Sequence, residues 1–295
     1  MIYRKKWKRA FILLAFVFPA LLFYSVFVLA SASGGVRFSL TDWNGLNRTY
    51  KSVGLANYIE ALTDDPAYLN SVLFTIKYVV CMVVLQNVLA LLLAVLIESR
   101  RRSKVWFRTI FFMPNMMSMI IGGFMWMFIF TRVLAYIANH TMLHFLDRSW
   151  IGDPRYSFLA ILIVSLWGVV GYLMVIYIAA LQGVPRYLKE AAEIDGANKI
   201  QMFWRVTLPM IFQACTIGIF VALGTSFKVF DVVYALTNGG PGRATQVIAL
   251  NVFEEAFHMS SRYGYASAKA MILFVIICLI TLVQLRLMKR KEVEV

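Results

Sequence analysis

Charge is scarce in this chain, and acidic charge scarcest: 15 Asp and Glu stand against 29 Lys and Arg, and charged residues make up only 15% of the total. Histidine and cysteine, at three each, and proline, at seven, are as thin. Each shortage excludes something. Cys81, Cys215 and Cys278 fall in three different apolar runs with no C-x-x-C pair, which makes them packing residues rather than a metal or redox centre. His140 and His144 stand at i, i+4, but no glutamate lies between them and their loop is otherwise neutral, so a zinc site is not written there. His258, beside Glu254 and Glu255, reads as solvated surface. No G-x-x-x-x-G-K-[ST] phosphate loop occurs, so any nucleotide must bind a different polypeptide. No cluster of His, Asp, Ser or Cys assembles a reaction centre, and catalysis in this chain is not expected.

What the chain has instead is apolar length. Its hydrophobic content of 61% and mean hydropathy of +0.73 over 295 residues exceed what a soluble core of this size could bury. A hydrocarbon layer about 30 Å thick takes roughly 20 helical residues per crossing. Six charge-poor runs of that order predict an all-α integral membrane bundle, with spans near 11–31, 71–97, 110–130, 157–181, 208–227 and 266–287. The first run, after Arg4-Lys5-Lys6-Trp7-Lys8-Arg9, is too long for the apolar core of a cleaved signal and is read as a retained span.

The net charge of +14 would point to nucleic acid in a soluble protein; here its distribution excludes that and sets orientation instead. Segments 1–10, 98–108, 182–207 and 286–295 hold 18 Lys and Arg, whereas the longer segments 32–70, 131–156 and 228–265 hold 9. The basic set belongs inside, so both termini and the 182–207 loop are expected in the cytoplasm. The expected organisation is a cytoplasmic N-terminus over 1–10, one six-span membrane domain over 11–287 and a cytoplasmic tail over 288–295. Lys77, Lys228, Asp231 and Lys269 fall near predicted span ends, where each is expected to reach water.

Between spans, turn chemistry at Thr41-Asp42-Trp43-Asn44-Gly45 precedes Leu55, Tyr58, Ile59 and Leu62 at i, i+3, i+4 and i+7. That predicts a short helix lying either along the membrane interface or on neighbouring protein. In the third run, Pro114-Asn115 and Gly122-Gly123 predict breaks, which lipid tolerates only where protein or a cavity satisfies the freed backbone; close helix approach equally explains the glycines.

The most informative stretch is the loop over 183–209. Pro185 suits a first helical turn, and Tyr187, Leu188, Ala191 and Ile194 then repeat at helical spacing until Gly196, a natural left-handed stop. Ile200, Phe203, Trp204 and Thr207 form a second amphipathic turn that runs into Leu208-Pro209, and it is expected to pack on the cytoplasmic span ends. Glu190-Ala191-Ala192-x-x-Asp195-Gly196-Ala197, with Gln201, Phe203, Leu208 and Pro209, is similar to the EAA loop of permease subunits in binding-protein-dependent ABC importers. Ser39-Leu-Thr-Asp-Trp-Asn44, Val53-Gly-Leu-x-Asn-Tyr58, Leu236-Thr-Asn-Gly-Gly-Pro241 and Tyr263-Gly-Tyr-Ala-Ser-Ala268 resemble the carbohydrate branch of that family, so the likeness covers nearly the whole chain. It departs at Gln213, where a second proline often stands, and at Val206, where isoleucine is usual.

The resemblance implies a bacterial cytoplasmic-membrane, multi-pass subunit that forms half a pathway with a second, homologous permease. Two ATPase subunits would hold ATP and Mg and dock on the loop through Glu190, Ala191, Ala192, Asp195, Gly196, Ala197, Leu208 and Pro209, and an extracellular solute-binding protein would deliver a sugar or oligosaccharide. No cofactor is expected in this chain. A sugar needs hydroxyl partners and an apolar ring face, which makes Asn115, Ser118, Ser165, Tyr172, Thr225 and Ser226 the candidate substrate contacts, with ordinary interhelical hydrogen bonding as the competing account. Gln86-Asn87 reads equally as polar glue. The rival class, an ion-coupled secondary transporter, would want ionisable groups or broken helices at the membrane midplane, and the sequence offers few.

Overall fold

The computed structural model describes residues 2–100, 102–259 and 262–289. Among these the chain is helical, its β content being one isolated bridge between Thr41 and Ser52. Five helices are long and apolar enough to cross a membrane: α1 (Ile12–Ser39), α3 (Pro66–Glu98), α5 (Met119–His140), α6 (Pro154–Gly183) and α12 (Tyr263–Lys289). Shorter helices lie between them: α2 (Ala56–Thr63), α4 (Lys104–Phe112), α7 (Arg186–Ile194), α8 (Lys199–Met210), α9 (Phe212–Ser226), α10 (Asp231–Leu236) and α11 (Ile248–Glu254). Contacts group the described residues into two compact units, one drawn from 1–65 and 252–272, the other from 66–251 and 273–295.

In the larger unit, α3 and α6 pack along their length and α9 closes the core. Ala90, Ala94, Leu173, Met174, Tyr177, Ile178 and Ala222 belong to one buried cluster. α6 begins where the sequence offers capping chemistry: Asp153 accepts from Arg155 N (2.8 Å) ahead of Pro154, a residue that fits a first turn because its missing N–H is unneeded there. Where α3, α6 and α9 cross, Tyr177 donates to Asn87 Oδ1 (2.6 Å) over Gly218, whose hydrogen leaves the room that a Cβ would lose to both groups.

The third predicted run is broken where Pro114 stands. A single tight turn over Met113–Met116 separates α4 from α5, and the crossing helix starts later than expected, at Met119. The break is seated on α6: the Asn115 side chain donates to Gly168 O (3.3 Å), and a Cβ on Gly171 would strike the Phe111 carbonyl. Gly122 and Gly123, by contrast, lie inside unbroken helix. A Cβ on Gly123 would come to 2.7 Å of Ala235 Cβ, so Gly123 serves close approach of α10, while Gly122 faces the Trp167 ring of α6.

The fifth run is not one straight span. α8 carries on to Met210, the chain bends by 70° at Ile211, and α9 resumes with 15 residues, roughly 22 Å of helix. Neither glycine nor proline occupies the bend itself; Ile211, 2% exposed, is held in the buried cluster.

In the smaller unit, α2 is tied down on its polar side. Asn57 Nδ2 donates to Ser39 O and Thr41 O (2.8 and 2.9 Å), and Ser39 and Tyr58 share a hydroxyl bond (2.7 Å), while Leu55, Ile59 and Leu62 stay exposed. The expected turn is present, with Asn44 Oδ1 accepting from Leu46 N and Asn47 N. The expectation for Lys269 fails. Its side chain is buried, not solvated, because Asp65 (2.7 Å) and Glu255 (2.9 Å) both bind its ammonium, and Tyr265 donates to the same Asp65 oxygen (3.0 Å). Beside it, a bidentate Arg262 holds the Glu60 carboxyl below the usual carboxylate range. What that pair contributes is therefore present above the ordinary carboxylate pKa and lost as pH falls through the lowered value; at two-fifths exposure it is small.

Lys269→Met leaves two carboxylates without their shared cation. It is expected to cost about 3–5 kcal/mol, read as a large drop in the melting temperature of the detergent-purified protein, whereas Glu60→Gln lowers it only slightly. Equal melting of Lys269→Met and the parent would show that the cluster carries no stability.

Candidate functional site

Two features stand out in the larger unit: a loop helix with nothing packed over it, and a polar cleft among the spans. The loop helix α7 has no buried residue; Tyr187 and Ile194 are 66% and 86% exposed. Pro185 stands just before its first turn rather than in it. The helix stops where the glycine predicts: Gly196 adopts φ +79°, its N–H reaching Glu193 O (3.0 Å) and that of Ala197 reaching Ala192 O (2.9 Å). Glu190, Ala191, Asp195 and Gly196 are exposed, and Ala192 and Ala197 half-buried.

The next turn begins on a reciprocal cap. Asn198 Oδ1 accepts from Gln201 N (2.8 Å) and Gln201 Oε1 accepts from Asn198 N (2.9 Å), a local reason for a glutamine at this place in the motif. A π-helical turn over Phe203–Thr207 leads to Leu208, half-buried, and Pro209, exposed. The expected packing of this second piece is partial: Thr207 is buried and Phe203 half-buried, but Ile200 and Trp204 stay open. Leu181 and Val184, which lead into the loop, and Ile211, which leads out, belong to one buried cluster, so both ends of the loop are anchored in the same core.

The cleft has a volume of about 160 Å³. Tyr78, Met82 and Gln86 enter from α3, Met119 from α5, Ser165 and Val169 from α6, Thr225, Ser226 and Lys228 to Phe230 from the end of α9 and the turn after it, and Asp231 and Val232 from the start of α10. Tyr78 donates to Ser165 Oγ (2.9 Å), and the Thr225 hydroxyl bonds back to Val221 O (2.9 Å). Gln86 is 1% exposed and its Oε1 has no partner within the chain. Lys228 and Asp231 bring opposite charges to the exposed side.

Of the six candidate contacts, Ser165, Thr225 and Ser226 come together here. Asn115 and Ser118 are exposed at the break before α5, the amide spent on Gly168, and Tyr172, 43% exposed, does not line the cleft. Sequence reasoning missed Tyr78, Lys228 and Asp231 as lining residues and left Gln86 as glue. The available signal was Tyr78, Met82 and Gln86 at successive intervals of four, a stripe on one face of the helix with two polar members. His140 stacks on Tyr136 and bonds its carbonyl, and no group of three metal-ligating side chains occurs among the described residues.

A multi-pass helical bundle with a polar cleft between spans, and an uncovered loop helix rooted beside a bent span, defines the class of membrane transport components. Residues 86–293 match the family described as binding-protein-dependent transport system inner membrane component, and the chain belongs to it. It is 39% identical to the probable starch degradation products transport system permease protein AmyD of Thermoanaerobacterium thermosulfurigenes, over 95% of this chain and 94% of that one. It is 31% identical to the multiple sugar-binding transport system permease protein MsmF of Streptococcus mutans, over 98% and 97%. In fold it is similar to a chain of a bacterial ABC transporter involved in the import of the acidic polysaccharide alginate, with a TM-score of 0.82, 20% identity and coverage of 98% and 99%.

Asn198→Ala removes half of the reciprocal cap and is expected to cost about 0.5–2 kcal/mol locally. Amide exchange should quicken over 199–205 and stay unchanged in α6; uniform exchange across the loop would show that the cap does not hold this turn.

Proposed function

We propose that this chain forms half of the pathway of an ATP-driven importer of a sugar or oligosaccharide, with six spans as one membrane domain over 11–287 and both termini cytoplasmic. Five spans are the long helices, and the remaining one, fifth along the chain, is the bent pair α8 and α9. A second, homologous permease completes the pathway, an extracellular binding protein delivers the solute, and two ATPase subunits holding Mg and ATP dock on the 183–209 loop. The relatives named above support the sugar class: one belongs to a transport system for starch degradation products, another to a multiple sugar-binding transport system. A solved neighbour was captured with a periplasmic protein carrying an alginate pentasaccharide, which supports the delivery partner.

The observation that carries the coupling part is the root of the loop: α7 is uncovered, yet Leu181, Val184 and Ile211 fix both of its ends in one core. A load applied to Glu190, Ala191, Ala192, Asp195, Gly196 and Ala197 is then passed through Leu208 and Pro209 to α9, which carries Thr225 and Ser226 at the cleft. Closing of the ATPases turns into rotation of a cleft wall. Ser165, Thr225 and Ser226 act as solute contacts, joined by Tyr78 and Gln86; Asn115, Ser118 and Tyr172 lie on surfaces that the second permease or lipid covers. The cleft is smaller than the roughly 300–1,000 Å³ of a drug-sized site, which fits a solute shared with the second permease. The ion-coupled alternative gains nothing from Lys269, whose ammonium is already held by two carboxylates within two turns of the start of α12.

Glu190→Lys and Gly196→Pro are expected to insert normally and to cut solute uptake at least tenfold while the ATPases still turn over; unchanged uptake in both variants would place coupling elsewhere. Gln86→Leu removes a buried acceptor and is expected to raise the KM for solute roughly three- to tenfold with little change in ATP turnover at saturation. An unchanged KM would remove Gln86 from the solute path.

A further inference from the structure

At 22 residues α5 is about 33 Å long and crosses a bilayer unaided, so α4 is not needed for the crossing. α4 has no buried residue. Trp106, Ile110 and Met113 follow at i, i+4 and i+7 and are 74%, 55% and 60% exposed, a continuous apolar stripe. The other side of the helix is fixed: Lys104 (2.6 Å) and Arg108 (3.1 Å) both bind Glu98 at the end of α3, and Phe111 rests on Gly171. Glu98 is the one acidic residue in 98–113, and those two cations occupy it. Arg100 and Arg102, exposed on the approach to α4, have no carboxylate in the segment left to meet.

An apolar stripe ending in tryptophan beside uncompensated arginines matches a surface that is hydrocarbon a few ångströms below a layer of negative charge. We propose that Arg100 and residues 102–113 form an anchor on the anionic lipid surface of the cytoplasmic leaflet. Trp106, Ile110 and Met113 lie in the acyl boundary, where indole is favoured, and Arg100 and Arg102 lie at the headgroup phosphates. The proposal rests on the cytoplasmic placement of this segment given above. The pairing of Glu98 with Lys104 and Arg108 sets the angle at which the stripe meets the membrane.

The test uses the assembled transporter in nanodiscs of phosphatidylcholine with phosphatidylglycerol, in a chain whose three cysteines are replaced by alanine. Spin labels on Trp106→Cys and Ile110→Cys should collide readily with oxygen and poorly with a water-soluble nickel chelate, and a label on Arg102→Cys the reverse. Nickel access at 106, or shielding from both agents as under a partner protein, would overturn the anchor. Arg100→Gln/Arg102→Gln should lower the ratio of phosphatidylglycerol to phosphatidylcholine retained on purification, by up to about fivefold per arginine; an unchanged ratio would overturn the anionic contact. Labelling of Arg102→Cys by an impermeant maleimide added to intact cells would overturn the cytoplasmic placement, independently of whether the stripe meets lipid.

Discussion

In hydrocarbon no water is at hand for a backbone group that leaves its helix, so every bend has to be satisfied from within the protein. The larger unit is organised by that constraint. The turn at Pro114 persists because α6 offers Gly168 and Gly171 as a bare strip: one carbonyl accepts the Asn115 amide and the missing side chains admit the displaced backbone. The start of α11 is met in the same way, Thr75 accepting from Ile248 N (3.0 Å) in the middle of α3. A helix that bends in lipid therefore fixes residues on its neighbours, and these are small or hydroxylic.

The same constraint separates what is held from what is free to move. Contacts made inside the bundle are numerous and apolar, whereas α7 makes none that bury it, and its shape is set locally by Gly196 at one end and the Asn198–Gln201 cap just beyond. The loop that carries this uncovered helix is tied at both of its own ends to one core, through Leu181 and Val184 before it and Ile211 after it, and the chain bends by 70° at Ile211 before α9. That arrangement is what the proposed coupling relies on.

Most of this was legible where the signal is local. Apolar length marked the long helices, and glycine chemistry placed the end of α7 to the residue. Proline placed the break before α5. Pro209 marked where the fifth span begins, but the bend two residues on was not legible, because the burial of Ile211 in the cluster that also holds Leu181 and Val184 is tertiary. Lys269 was misread for the same reason. Its partner Asp65 lies about two hundred residues away in the chain, and a lysine six residues into a span looks solvated until that carboxylate is seen beside it. The cleft was half legible, since Ser165, Thr225 and Ser226 are polar residues in apolar runs, but which polar residues meet depends on the rotation of α3, and that is set by packing.

Three buried polar atoms in the spans of the larger unit lack a partner within the chain: Gln86 Oε1, Trp126 Nε1 and Gln284 Oε1. Leaving such a group unpaired costs about 1–3 kcal/mol, and the three differ in what could relieve it. The Trp126 indole is walled in by Phe130 and Trp167, and the Gln284 amide already spends its nitrogen on Thr216 O (3.3 Å). Gln86 alone of the three lines the cleft, where, on the function proposed above, a hydroxyl donor on the solute would remove its penalty. An apolar residue at the same place would carry no such penalty and would gain nothing from a polar solute.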